Sequence, residues 1–216
     1  ESLGLETLTA FTCARLAEAK VYFDGTDPVV DLDTGEAAAR RVLAREGRNA
    51  RALEVLGDLL LTRADHVVKH DPVASLALYD ASAATLDRVL PVVPARAPAL
   101  ALRGIAYSQK GRAEKKLGRD PRGSLRKAAE SQRASLASGE SVGAWVGLQN
   151  TLNQIANHAA MVGDDPGPDC EAVLEAGRNA LRLAPKSTFV RNANANAHYV
   201  RAKGERRRTR SDWMGI

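Results

Sequence analysis

Aromatic residues are scarce in this chain: three Phe, four Tyr and two Trp among 216 residues, 4% of the whole. β-Sandwiches and barrels fill their pleated faces with aromatic and β-branched side chains. The shortage, beside 44% hydrophobic content dominated by Ala and Leu, points instead to packed helices. Cysteine is nearly absent. Cys13 and Cys170 stand 157 residues apart, which argues against a disulfide framework and fits a reducing compartment, with the cytoplasm as the expected location. No apolar run is long enough to cross a bilayer, so no membrane partner is expected. Glu1 is neither an initiator methionine nor the start of a basic-then-apolar leader, and the chain is read as a soluble segment of something larger.

Catalytic signatures are missing as well. There is no Gly-x-Gly-x-x-Gly or Walker-type loop, and nothing like the His-Arg-Asp or Asp-Phe-Gly of a kinase core, so this segment is expected not to be an enzyme. His66 and His70 share a helix face at the spacing that lets two imidazoles hold a metal, with Asp71 beside them. Val67 stands where a zinc hydrolase would carry its general base, and two exposed histidines near a helix end are the preferred reading. No metal and no cofactor are expected. His158 and His198 fall about two helical turns out of register and are not expected to meet. Both cysteines read as small core residues.

What the chain does contain is a recurring punctuation mark: Gly25-Thr26-Asp27-Pro28, Gly118-Arg119-Asp120-Pro121 and Gly163-Asp164-Asp165-Pro166, with Lys69-His70-Asp71-Pro72 lacking only the glycine. Glycine ends one helix in a left-handed conformation, aspartate caps the next, and proline sits in its first turn. The Asp-Pro pairs begin at 27, 71, 120 and 165, spacings of 44, 49 and 45, and Asp212 with Trp213 follows after 47. Such a period predicts stacked helix pairs. They run from about 5 to 23 and 31 to 46, 50 to 69 and 72 to 90, 98 to 117 and 121 to 138, then a helix carrying Trp145, Leu148, Leu152 and Ile155 before Gly163 and one ending at Pro185. A last helix from about 188 to 208 has no complete partner. Asp33 with Glu36 is a second capping box competing with Asp27 for the start of the second helix.

The net charge of +5 is local. Six basic residues between Arg201 and Arg210 face one acid, Glu205, and the rest of the chain sums to zero. A solvated face closing the end of a helical stack is preferred, and nucleic acid is an unlikely partner; the alternative is binding to nucleic acid or an acidic surface through Arg206, Arg207, Arg208 and Arg210.

Leu56-Gly57 with Leu60, Gly104 with Tyr107, Trp145 with Leu148, and the ending Ala180-Leu181-x-Leu183-x-Pro185 resemble the tetratricopeptide repeat (TPR). The usual repeat has about 34 residues. The longer period here is similar to the arrays found after the kinase domain in some bacterial eukaryotic-like Ser/Thr protein kinases. The resemblance implies an all-α fold, a right-handed superhelix of stacked antiparallel helix pairs, as a single domain over 1–216 with four pairs and a C-terminal helix. It also implies a non-catalytic module that binds a peptide or helical segment of another protein in its concave groove, as a scaffold or as the regulatory region of a kinase. In that family, asparagines at the ninth and sixth positions of consecutive repeats hold a peptide backbone, and Asn150 and Asn194 match them. Asn153, Gln154 and Arg201 fall on the same side and complete the expected peptide-binding set, an amide offering donor and acceptor to any peptide backbone. Val146 stands where carboxylate-binding versions carry lysine, and Asn192, Asn194 and Asn196 read equally as a polar surface on the last helix. That helix is also a surface through which a second copy could form a homodimer.

Overall fold

The computed structural model describes residues 2–214, and of residues 207–214 the helix alone. Among the described residues the chain is all-α. Helix α1 (Leu3–Ala19) continues into a π-helical turn (Lys20–Asp24); α2 (Val29–Arg45), α3 (Ala50–Val67), α4 (Pro72–Asp87), α5 (Ala97–Lys116), α6 (Arg122–Ser138), α7 (Val142–Val162), α8 (Gly167–Leu183) and α9 (Thr188–Met214) follow.

The punctuation marks work as their chemistry requires. Gly25, Gly118 and Gly163 have φ of 73°, 69° and 93°, the left-handed conformation that closes a helix. The aspartate of each mark then accepts the amide two residues on: Asp27 from Val29 at 3.0 Å, Asp120 from Arg122 at 3.0 Å and Asp165 from Gly167 at 2.9 Å. The competing cap at Asp33 is not used, because Asp33 and Glu36 lie inside α2 and both bind Arg63, at 2.6 and 2.5 Å. Where glycine is missing, α3 ends at Val67, a tight turn puts the His70 amide on the Val67 carbonyl at 3.0 Å, and Asp71 caps α4 through Ala74 at 2.9 Å. At Asp212-Trp213 the expected fifth break is absent, and α9 runs through to Met214. Tryptophan keeps its amide and its φ freedom, so nothing there obliges the helix to stop.

The chain divides into two compact units, 1–124 and 125–216. In the first, α1 packs on α2, α3 on both, α4 on α3, and α5 on α3 and α4. In the second, α7 packs on α8 and α9 on both. This is the consecutive pairing of an α-solenoid. The cores are assembled from small residues at helical spacing. Ala10, Ala14 and Ala17 on α1 meet Leu32, Ala38 and Ala39 on α2 and Val55, Leu59 and Leu60 on α3. In the second unit Leu148, Leu152, Ala156 and Ala160 of α7 meet Cys170, Val173 and Ala176 of α8 and Ala197 and Val200 of α9.

Gly57 shows how close the helices come: a Cβ there would stand 2.6 Å from Cγ of Leu86, which is itself fully buried. Gly57→Ala is therefore expected to cost about 1–3 kcal/mol by overpacking. Urea unfolding of both single variants and of the Gly57→Ala/Leu86→Ala pair reads the coupling, which strict additivity would contradict.

Candidate functional site: the face of α1, α3 and α5

Helices α1, α3 and α5 present one face each to a common pocket of about 320 Å³. α1 contributes Phe11 and Arg15, α3 contributes Arg51, Glu54, Val55 and Asp58, and α5 contributes Pro98, Ala101 and Leu102. The residues recur at three, four and seven because that spacing keeps side chains on one side of a helix. Valine, alanine, leucine and proline make an apolar floor. Two guanidiniums approach the Phe11 ring, with Cζ of Arg51 at 4.7 Å and Cζ of Arg15 at 5.5 Å from its centroid, both within cation–π range.

Below the arginines lie carboxylates withdrawn from water. Glu54 is 3% exposed and receives both Nε and Nη2 of Arg96, at 2.5 and 3.0 Å, in a bidentate pair, with Arg51 at 3.7 Å. Arg96 is delivered by a loop in which Ala95 holds a left-handed backbone, φ 57°, a conformation that costs a residue with Cβ about 1–2 kcal/mol. Asp58 receives Arg15, which also holds Glu18. Burial is the main reason the Asp58 carboxyl is pushed up to about 6; Arg15 pulls it back and Glu18 adds to the rise. The side chains of Arg15 and Arg51 are about half exposed, whereas Asp58 and Glu54 are largely covered and Glu18 is open to solvent, so donors face solvent over two hidden acceptors. None of these residues is in the set expected from sequence. With Leu56-Gly57 as the reference, Glu54 and Asp58 occupy the fifth and ninth positions of their repeat, which was the available signal.

The expected amides lie in the second unit and have varied surroundings. Asn150 and Gln154 are half-buried on α7. Asn153 is 9% exposed; its Nδ2 donates to the Ala193 carbonyl at 3.3 Å and its Oδ1 accepts from Asn196 at 3.2 Å. Asn194 Oδ1 accepts from Nε2 of Gln149 at 2.7 Å, and a Cβ on Gly177 would fall 2.1 Å from that oxygen, so the glycine makes the space for the amide pair. Gln149, fully buried, also donates to the Val190 carbonyl at 3.4 Å. The structure thus brings Asn153 and Asn194 together at the α7–α9 contact. Arg201 is exposed and paired with Glu171 and with Glu205, the latter at 3.1 Å. Arg206 is exposed; the side chains of Arg207, Arg208 and Arg210 lie outside the described residues. The His66 and His70 rings are 6.1 Å apart, and no group of three or more metal-ligating side chains occurs among the described residues. Burial pushes up the thiols of both Cys13 and Cys170.

Two outcomes follow from these partners. Asn194→Ala leaves the buried Gln149 amide with its long bond to the Val190 carbonyl alone and should cost about 1–3 kcal/mol in urea unfolding, with Asn150→Ala far smaller; equal losses would contradict the α7–α9 assignment. The folded Asp58 carboxyl keeps its proton up to about pH 6, whereas an unfolded aspartate releases it near 4. The folded state therefore binds more protons across that window, and stability falls as pH rises through it. Asp58→Asn should stabilise the fold at pH 7.5, by up to about 3 kcal/mol, with the gain lost by pH 4; a gain or loss independent of pH would refute the assignment.

No family model matches the sequence, and no curated protein matches it. Among solved structures the chain is similar to the crystal structure of a thermophilic TPR protein of Thermus thermophilus, with 17% identity and a TM-score of 0.60 over 87% of this chain and 80% of that one. Identity at that level speaks for the fold alone. Consecutive helix pairs, small residues at the crossings and this structural likeness together give the chain a tetratricopeptide-type repeat fold.

Proposed function

We propose that the chain is a non-catalytic protein-interaction module that receives a segment of a partner protein on the face of α1, α3 and α5. The pocket beside Phe11 carries this reading: an apolar floor for one side chain, with half-exposed guanidiniums beside it for acidic neighbours in the same segment. An arginine has five donors, so Arg15 and Arg51 can keep Asp58 and Glu54 and still engage a carboxylate of the partner. Asn150, Gln154 and Arg201 are proposed as a further contact surface on the second unit, while Asn153 and Asn194 serve the α7–α9 contact. The long-repeat resemblance supports a finer reading, a regulatory or recruiting segment of a bacterial Ser/Thr protein kinase, which a catalytic domain encoded in the same polypeptide would test.

Selection of binders from a displayed random-peptide library should converge on an apolar residue flanked by acids. Ala101→Trp, which fills the pocket, and Arg51→Gln, which removes one charge from its rim, should each weaken the selected peptides at least tenfold, about 1.4 kcal/mol, with the native helical spectrum retained. Binders indifferent to both substitutions would overturn the assignment.

A further inference from the structure

Two turns further along the same face lies a second pocket, of about 280 Å³, lined among others by Tyr22, Asp65, Lys69, Gln109, Arg112 and Lys116. Tyr22 follows Arg15 by seven residues, Asp65 follows Asp58 by seven and Gln109 follows Leu102 by seven. Each step is about 10 Å along its helix. At the bottom is the Asp65 carboxylate, 5% exposed. Tyr79 donates to one of its oxygens at 2.6 Å, Tyr22 to the other, and Gln109 bonds it as well. Three donors inside the protein take up most of its acceptor capacity, burial still raises its pKa, and both tyrosine hydroxyls are held neutral by burial first and the Asp65 charge second.

Charge at the mouth does not cancel. Lys69, Arg112 and Lys116 are arranged around it, and Lys69 is steadied by a bond from Nζ to the Val21 carbonyl at 3.2 Å. The opposing charges are Asp65 and the C-terminal ends of α3, α5 and the π-helical turn after α1, which carry about half a negative charge each. Three cations against one carboxylate and three half charges leave an excess of about half a positive charge. Val21 and Tyr22 reach the pocket from the π-helical turn that ends α1, a local widening of the kind that recurs at binding sites.

We propose that this pocket binds an anionic group, a carboxylate or a phosphate, borne by the same partner segment whose apolar side chain occupies the pocket beside Phe11. The inference rests on that reading of the face and extends it. An extended chain covers about 10 Å in three residues, so the segment places its anion about three residues from its apolar anchor. Charge-assisted bonds from guanidinium and ammonium groups suit both kinds of anion.

An NMR titration of the whole chain with inorganic phosphate tests the pocket without any peptide. Saturable shifts should centre on Tyr22, Gln109 and Arg112. They should weaken at least fivefold in Lys116→Ala and Arg112→Gln but not in Lys115→Ala, which removes an equal charge from the same helix end outside the pocket. Peptides carrying an apolar residue and, three residues on, either glutamate or phosphothreonine should displace the phosphate; the stronger competitor identifies the source of the anion, and an alanine version should not compete. Equal effects of Lys115→Ala and Lys116→Ala, the absence of saturation, or peptides that leave bound phosphate in place would each overturn the proposal. Phosphate binding needs nothing of the pocket beside Phe11. A failure of Ala101→Trp to block peptides would therefore count against the first reading while the phosphate result still stood.

Discussion

A carboxylate withdrawn from water must find donors in its surroundings, and the first unit is built around groups in that position. Glu6 of α1 receives Arg41 and Arg45 of α2 at 3.1 and 3.2 Å. Glu36 of α2 receives Arg63 of α3 at 2.5 Å. Glu54 of α3 receives Arg96 from the segment leading into α5 at 2.5 Å, and Asp65 of α3 receives Tyr79 of α4 at 2.6 Å. Each acid and its donor belong to different elements, so the pairs follow the same path through the unit as the helix packing. Alanine-lined crossings bring helices close without saying which turn should face which. A slip of one turn, about 5.4 Å, would strand a buried charge at a cost of about 3–5 kcal/mol. The ion pairs thus supply the register that small apolar side chains leave open.

The second unit meets the same requirement with neutral groups. Gln149, Asn153, Asn194 and Asn196 join α7 to α9 through amide and carbonyl contacts, and Gly177 of α8 withdraws to admit them. Amides do not titrate, so this contact is indifferent to pH, whereas the first unit carries a carboxyl raised to about 6 on the face proposed to bind a partner. Of these two sets of contacts, acidification therefore acts on the one in the first unit.

This division explains what could be read from the sequence. Helix starts and stops were legible because glycine, aspartate and proline act on their immediate neighbours: the marks at 25–28, 118–121 and 163–166 fall where the helices change. The stripe Trp145, Leu148, Leu152 and Ile155 was legible because a period of 3.6 admits few other outcomes. Asn153 and Asn194 were placed on α7 and α9 correctly, but the direction of an amide depends on the next helix. Their contacts lie 40 and 45 residues away in sequence, and the space they occupy is made by a glycine on a third helix. The pocket beside Phe11 was not legible in the sequence for a related reason. Arg96 reads as part of a proline-rich connection, and only the folded chain shows that this connection delivers it to Glu54, 42 residues earlier.

The long repeat itself has a structural use in this arrangement. The punctuation marks recur every 44 to 49 residues, against about 34 in the usual repeat, and α5 and α7 run to 20 and 21 residues. The π-helical turn after α1, the end of α3 with Lys69 just beyond it, and the last turns of α5 carry a second tier of side chains seven residues past the first. One tier holds Phe11 over an apolar floor and the other holds Lys69, Arg112 and Lys116 around a satisfied carboxylate. On the proposed reading the two modest subsites, a short segment apart, act through effective concentration, so a partner filling both gains more than either contact yields alone. Specificity on that reading comes from the distance between an apolar residue and an anion, a quantity fixed by helix length across three helices.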